Sequence, residues 1–228
     1  MLMVIVSSNI YNKDKAMAEK SFQSPKKRGK IAVFLSGRGT NFLAIHDAVK
    51  RGDINADISL VFSNKKEAQG LLHAKKRRLE TLYLNPKEFG SKEDYDEEIC
   101  KEVRKRDMDL ICLAGYMKIL TPGFCNEFEN RIMNIHPALL PSFPGLHVQK
   151  KAIDWGVRYS GATVHFVTAS VDMGPIILQA AVPVLQDDTE ESLSDRILKQ
   201  EHKIYPESVK LYFEGKLLIK GRKVFILP

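Results

Sequence analysis

The sequence predicts an α/β domain with a parallel N-terminal half and a mixed-sheet C-terminal half. Three observations lead there. Short apolar runs at 30–35, 58–62 and 109–114 alternate with stretches of helical spacing, the pattern of a parallel sheet covered on both faces. From residue 131 the texture shifts to β-branched segments joined by polar turns. The chain is 228 residues long without an internal repeat, enough for one large core.

Taken in order, 30–35 reads as a buried strand, and 41–50 as a helix with Phe42, Leu43, Ile45, Ala48 and Val49 on one face. A strand at 58–62, a helix at 68–78 and a strand at 81–84 follow. The helix expected at 91–106 opens on Ser91 as N-cap with Asp94 three residues on. The strand at 109–114 is strongly apolar. A strand at 131–136 then runs into a loop stiffened by Pro137, Pro141 and Pro144. A helix near 148–155, strands at 162–168 and 176–184, the long amphipathic helix Glu190–Phe213 and a hairpin over 216–227 turning at Lys220-Gly221 complete the chain. Residues 1–29 are polar, basic and aperiodic, and are expected to form a disordered tail. The halves of the domain are expected to be 30–130 and 131–228.

The net charge of +7 does not imply a nucleic-acid surface. The first 30 residues hold seven lysines and arginines against two acidic residues, so +5 resides there and the other 198 residues carry +2. The run Lys75-Lys76-Arg77-Arg78 is readable as an anion patch, and more simply as a solvated helix face. The apolar start Met1–Val6 is too short for a signal core, and no stretch approaches the ~20 apolar residues of a membrane span. A cytoplasmic location is expected. Cys100, Cys112 and Cys125 form no C-x-x-C pair and read as reduced structural thiols. The six histidines show neither H-x-x-x-H nor H-E-x-x-H spacing, so no metal is expected.

Two constellations carry chemistry. Ser36-Gly37-Arg38-Gly39-Thr40-Asn41 joins the first strand to its helix. A helix N-terminus offers unpaired N–H groups and partial positive charge to a phosphate, glycines allow close approach, and Thr40 and Asn41 add side-chain donors. The loop is neither a Walker loop nor a dinucleotide fingerprint, and a ligand-free strand–helix turn would look similar. The second constellation is Asn134-Ile135-His136-Pro137. Residues i and i+2 of a strand share a face, so Asn134 and His136 project together at the carboxyl edge of the sheet. An amide donor and an imidazole aimed at one point can stabilise an oxyanion and move protons. The same residues also describe an ordinary strand-end turn. A carboxylate would keep His136 cationic, and Asp154, Asp172, Asp187 and Asp188 are all candidates. His165 reads as a core or wall residue rather than a catalyst, and His46, His73, His147 and His202 as surface residues.

Five ordered motifs resemble the glycinamide ribonucleotide formyltransferase family, which uses 10-formyltetrahydrofolate. They are IAVFLSGRGTN at 31–41, LAGYMKIL at 113–120, MNIHPALLPSFPGLH at 133–147, VHFVT at 164–168 with DMGPIILQ at 172–179, and QEHKIYP at 200–206. The resemblance covers about residues 30–226 and implies a three-layer formyltransferase-like fold, with a phosphate-binding half at 30–130 and a folate and catalytic half at 131–228. It implies that Asn134, His136 and Asp172 form the catalytic trio. Gly39, Thr40 and Asn41 would take the substrate phosphate, and Glu201 the ribose hydroxyls. Met117, Lys118, Ile119 and Leu120 would line the folate pocket with Asn134 and Asp172, and Lys92 and Lys118 would face the folate's anionic tail. Lys92 and Lys118 stand where many members carry arginine, which keeps the charge but not the planar fork. Tyr116 replaces a common phenylalanine. The implied partners are two small molecules, glycinamide ribonucleotide and the folate co-substrate, with no nucleic acid, membrane or metal, in a monomer or homodimer of purine synthesis. Methionyl-tRNA formyltransferase and formyltetrahydrofolate hydrolase share the Asn–x–His and Asp chemistry, but both lack the Gly-x-Gly-Thr-Asn loop in this form.

Overall fold

A computed structural model describes residues 28–228. The expected tail at 1–29 lies outside the described residues up to residue 27. Gly29 already belongs to the first strand, and Arg28 pairs with Asp57 at 2.9 Å, so the ordered chain begins before residue 30. The strands are β1 (Gly29–Leu35), β2 (Ala56–Ser63), β3 (Thr81–Tyr83), β4 (Leu110–Leu113), β5 (Ile132–His136), β6 (Tyr159–Phe166), β7 (Ile176–Pro183), β8 (Leu217–Lys220) and β9 (Lys223–Ile226). The helices are α1 (Thr40–Arg51), α2 (Gln69–Lys76), α3 (Lys92–Lys105), α4 (Pro122–Glu127), α5 (Val148–Asp154) and α6 (Glu190–Phe213).

All nine strands form one sheet in the order β3-β2-β1-β4-β5-β6-β7-β9-β8. The run from β3 to β5 is parallel. β6 is antiparallel to both neighbours, and β9 joins β7 in parallel and β8 in antiparallel. The expected parallel and mixed halves are therefore the observed ones.

Alternate residues of the central strands explain the three layers. On β1, Ile31, Val33 and Leu35 point into a core closed by α1, α2, α5 and α6, while Ala32 and Phe34 point into a second core closed by α3 and α4. On β4, Leu110 and Cys112 share the first core with Ala114 just beyond, and Ile111 and Leu113 the second. A strand buried on both faces has no polar side, which is why these runs read as continuous apolar stretches. Each face then removes several large side chains from water, at ~1.5–3 kcal/mol apiece.

The long helix α6 is set by its ends. Thr189 caps it in a reciprocal capping box with Ser192, and Asp188 clamps Arg196 at 2.6 Å. The arginine and Ser192 hold the Asp188 carboxyl well below the ordinary carboxylate range. Helix α4 has no counterpart in the sequence expectation. Its six residues are too few to show a period, but Thr121 accepts from Phe124 N–H and Pro122 occupies the first turn. No helix among the described residues is long and apolar enough to cross a membrane.

Candidate active site

The parallel strands deliver three loops to their carboxyl ends. β1 leads into the glycine loop, β4 into the segment 114–121, and β5 into the proline loop. The order β2-β1-β4 places the reversal of strand order between β1 and β4, where crevices open in such sheets. A cavity of about 530 Å³ lies at these ends, walled by the 115–120 segment, the β5 end, the 145–149 turn and the loop after β6.

Asn134 and His136 both line this cavity with Asp172. Asp172 Oδ2 lies 3.5 Å from His136 Nδ1, and the carboxylate is nearly buried. The other candidates are engaged elsewhere. Asp154 pairs with Lys150 on α5, Asp188 with Arg196, and Asp187 is exposed. Asp172 reaches the histidine because its own backbone is left-handed, with φ 55°, and Gly145 N–H donates to its Oδ2 at 2.9 Å. His136 Nε2 faces the Phe143 carbonyl oxygen at 2.9 Å. A doubly protonated imidazole would therefore donate from both nitrogens. The proline loop is held against β6 by Thr163, whose Oγ1 donates to Ala138 O and accepts from Leu140 N–H.

His165 belongs to the site more closely than its sequence position suggests. β5 and β6 pair so that Asn134 stands opposite His165. His165 Nδ1 lies 2.9 Å from Phe166 O, so Nδ1–H donates there. Burial pushes the imidazole pKa down, which favours the neutral ring. Nε2 is then a lone pair, and it accepts from Asn134 Nδ2 at 3.2 Å. This assigns the amide orientation and leaves the second Nδ2 hydrogen for a ligand. Asp172 Oδ1 stands 3.7 Å from the same ring nitrogen.

The glycine-loop group sits apart from the cavity wall. Gly39 is left-handed (φ 78°) at the N-cap of α1, and no side chain caps that first turn. Its leading N–H groups are therefore open to a ligand. A Cβ on Gly39 would lie 2.7 Å from Gly70 Cα, so glycine is also required by packing against α2. Thr40 is half-buried beside it. Asn41 Nδ2 donates to Glu201 Oε2 at 2.7 Å, across 160 residues of chain. Burial raises the Glu201 carboxyl, and the Asn41 bond pulls it part of the way back. Asn41 Oδ1 is buried with no hydrogen-bond partner among the described residues.

Met117, Lys118, Ile119 and Leu120 all line the cavity, Met117 and Ile119 being 63% and 60% exposed. Lys118 Nζ lies 5.8 Å over the Tyr95 ring. Tyr116 packs edge-on to Phe34 in the second core. Lys92 is exposed in the first turn of α3 and is not in the cavity wall. The surface reading of His46 needs correction: it is buried, packed near Phe42, because α1 turns that face inward against the core. His147 is exposed as expected and also lines the cavity, since its left-handed backbone (φ 57°) turns the chain into α5. His73 and His202 are half-buried, and burial lowers the His202 pKa.

One set of potential metal ligands occurs among the described residues: Glu97, Cys100 and Glu127. Arg104 already bridges the two carboxylates at 2.6 and 3.1 Å, and burial pushes the Cys100 thiol up to about 12. A guanidinium in the centre makes this a salt-bridge cluster.

Comparison with known proteins gives the same fold and a family. A family model described as formyl transferase matches residues 29–209. The chain is 44% identical over 197 residues to phosphoribosylglycinamide formyltransferase of Haemophilus influenzae, covering 86% of this chain and 93% of that protein. It is 43% identical over 212 residues to the trifunctional purine biosynthetic protein adenosine-3 of Drosophila melanogaster, covering 92% of this chain but only 16% of that much longer protein. The crystal structure of glycinamide ribonucleotide transformylase 1 from Symbiobacterium toebii superposes with a TM-score of 0.88 at 46% identity, over 90% of this chain and 96% of that one. With the family model covering most of its length and the sheet, cavity and loops arranged as described, this chain belongs to the formyl transferase family.

Proposed function

We propose that this chain transfers the formyl group of 10-formyltetrahydrofolate to the primary amine of glycinamide ribonucleotide in purine synthesis. The observation that carries the reading is the convergence of Asn134, His136 and Asp172 on one cavity wall. Both ligands fit the residues present. The cavity is mostly apolar with a few convergent polar groups, as an aromatic heterocycle requires. The open first turn of α1 suits a phosphate, and the unpaired Asn41 Oδ1 beside Glu201 suits hydroxyl donors such as those of a ribose.

In this reading the neutral amine attacks the formyl carbon. The new N–C bond forms as the carbonyl electrons move onto oxygen. The free Nδ2 hydrogen of Asn134 and a protonated His136 meet that oxyanion. Binding exchanges the Phe143 carbonyl for a substrate acceptor at His136 Nε2. Collapse breaks the C–N10 bond, N10 takes a proton relayed by His136, and the amine gives one up, so protons balance. Asp172 supports the imidazolium charge throughout. Lys118 and Lys92 serve the anionic tail of the folate, Lys118 from the wall and Lys92 from outside it. The half up to residue 130 binds the substrate phosphate, and the half from 131 supplies folate contacts, the catalytic groups and Glu201. The scheme uses no metal. A cytoplasmic monomer or homodimer suits the three buried, free cysteines.

The test mixes purified protein with 10-formyltetrahydrofolate and follows tetrahydrofolate release with and without glycinamide ribonucleotide. Release that requires the ribonucleotide is expected. Release independent of it would replace this reading with hydrolysis.

A further inference from the structure

We infer that Ser36 is a positioning residue that couples the two ligand pockets, so that filling the glycine loop tightens the folate site and the reverse. The inference rests on the proposed function for the identity of the ligands and on the following geometry for the coupling.

Ser36 is the first residue of the glycine loop, 4% exposed, at the carboxyl end of β1. Its N–H donates to Gly115 O at 3.0 Å. Its Oγ accepts from Met117 N–H at 2.8 Å and donates to Asn64 Oδ1 at 2.6 Å. A hydroxyl has one hydrogen, so the Asn64 acceptor turns the Ser36 lone pairs toward Met117. The far end of the same segment is held by Asp96, whose buried carboxylate accepts Thr121 N–H at 2.6 Å. The folate-lining residues 117–120 are thus slung between two side-chain anchors, and one anchor is part of the phosphate loop. Gly37 O accepts from Gly70 N–H on the other side, so α2 clasps the same loop.

The chain Asn64–Ser36–Met117 crosses the gap between β1 and β4, where the crevice opens. A phosphate held at the glycine loop bears on Ser36 and, through Oγ, on the start of the folate wall. A link of this kind lets one ligand bias the position of the segment that the other binds, which is positive coupling where both favour the same position. The Ser36 N–H to Gly115 O bond is backbone and survives substitution, so Ser36→Ala removes the side-chain link alone.

The experiment is calorimetric titration of tetrahydrofolate, which has no formyl group to transfer, with and without saturating glycinamide ribonucleotide. In the unmodified protein the ribonucleotide is expected to tighten tetrahydrofolate about 5-fold or more, the lower range of coupling between sites. Ser36→Ala is expected to bring that ratio close to one. Asn64→Ala should lower it partly, and Asn64→Asp, which keeps the acceptor, should restore it. A role confined to folding would weaken both ligands or lower Tm and leave the ratio unchanged. A ratio of one in the unmodified protein, or an unaltered ratio in both alanine variants, overturns the inference while leaving the proposed function standing. Failure of the unmodified protein to bind either ligand overturns the proposed function, and the coupling with it. Should Ser36→Ala fail to fold, the Asn64 pair decides.

Discussion

In the parallel half, functional groups are placed by backbone. β1 is sealed on both faces by apolar neighbours, and the glycine loop that follows is fixed by Gly39 packing on Gly70 and by main-chain bonds to Gly115 and Gly70. In the mixed-sheet half they are placed by side chains. Asn134 is oriented by His165, His136 is held between Asp172 and Phe143 O, and Thr163 pins the proline loop. Non-glycine residues take left-handed backbone in both halves, Arg78, Asp107 and Asn130 in the first and Phe143, His147 and Asp172 in the second, and it is the second set that flanks the catalytic candidates. A binding loop tolerates no side chain where a ligand must approach closely. A proton-handling site needs side chains and accepts local backbone cost to aim them.

The contrast predicts that substitutions in the two halves fail differently. The largest effect is expected at His136. His136→Ala should lower turnover about 10²–10⁴-fold with the fold intact, measured by tetrahydrofolate release alongside thermal unfolding. Asp172→Asn, which keeps an acceptor for Gly145 N–H but removes the charge, should cost about 10²–10³-fold. Near-normal turnover in either purified variant would dismiss the role given to it.

Gly39→Val probes the other half. The substitution forces a β-branched residue into φ 78° and drives Cβ into Gly70 Cα. Ribonucleotide KM is expected to rise by about tenfold or more, with a stability loss of about 1–2 kcal/mol from the left-handed backbone. Folate affinity measured alone should change much less. Equal losses for both ligands would erase the distinction drawn between the halves.

The smallest effect concerns pH. The His165 pKa is lowered from its ordinary value of 6.5, chiefly by burial. The unfolded chain therefore takes up a proton before the folded one does. The stability this gives is complete above pH 6.5 and is lost as pH falls through the lowered folded value. His165→Asn keeps an acceptor for Asn134 and cannot titrate, so its Tm should decline less between pH 7 and pH 5 than that of the unmodified protein. Parallel Tm curves would mean that His165 carries no such linkage.

Much of the fold was legible because its signals are local. The apolar runs of β1, β2 and β4 and the ends of α6 follow from period and capping, and α6 spans Glu190–Phe213 as expected. β6 begins at Tyr159, earlier than its β-branched residues suggest, because Ser160 and Gly161 pair with Val182 and Ala181 and carry no strand signal of their own. In the site, Asn134 and His136 could be read from alternation. Asp172 could not, since nothing local separates it from Asp154, Asp187 or Asp188; the resemblance supplied it. The hydrogen bonds of His165, expected as a core or wall residue, and of Ser36, the first residue of the glycine loop, could not be read for a related reason. They arise from strand pairing and from a loop 81 residues away, which no window of sequence contains.

Tyr205 is wholly buried on α6, with its hydroxyl 3.1 Å from Leu113 O and 3.0 Å from Met133 O, at the ends of β4 and within β5. Glu201 lies one turn before it on the same side of the helix. The helix thereby sets the distance between the sheet and the proposed ribonucleotide site at Glu201 and Asn41. Adding or deleting one residue between them would swing Glu201 about 100° around the helix axis and away from Asn41. Insertions beyond Phe213 leave that distance untouched. A length change after the helix preserves the spacing of Glu201 and Tyr205, whereas one between them does not.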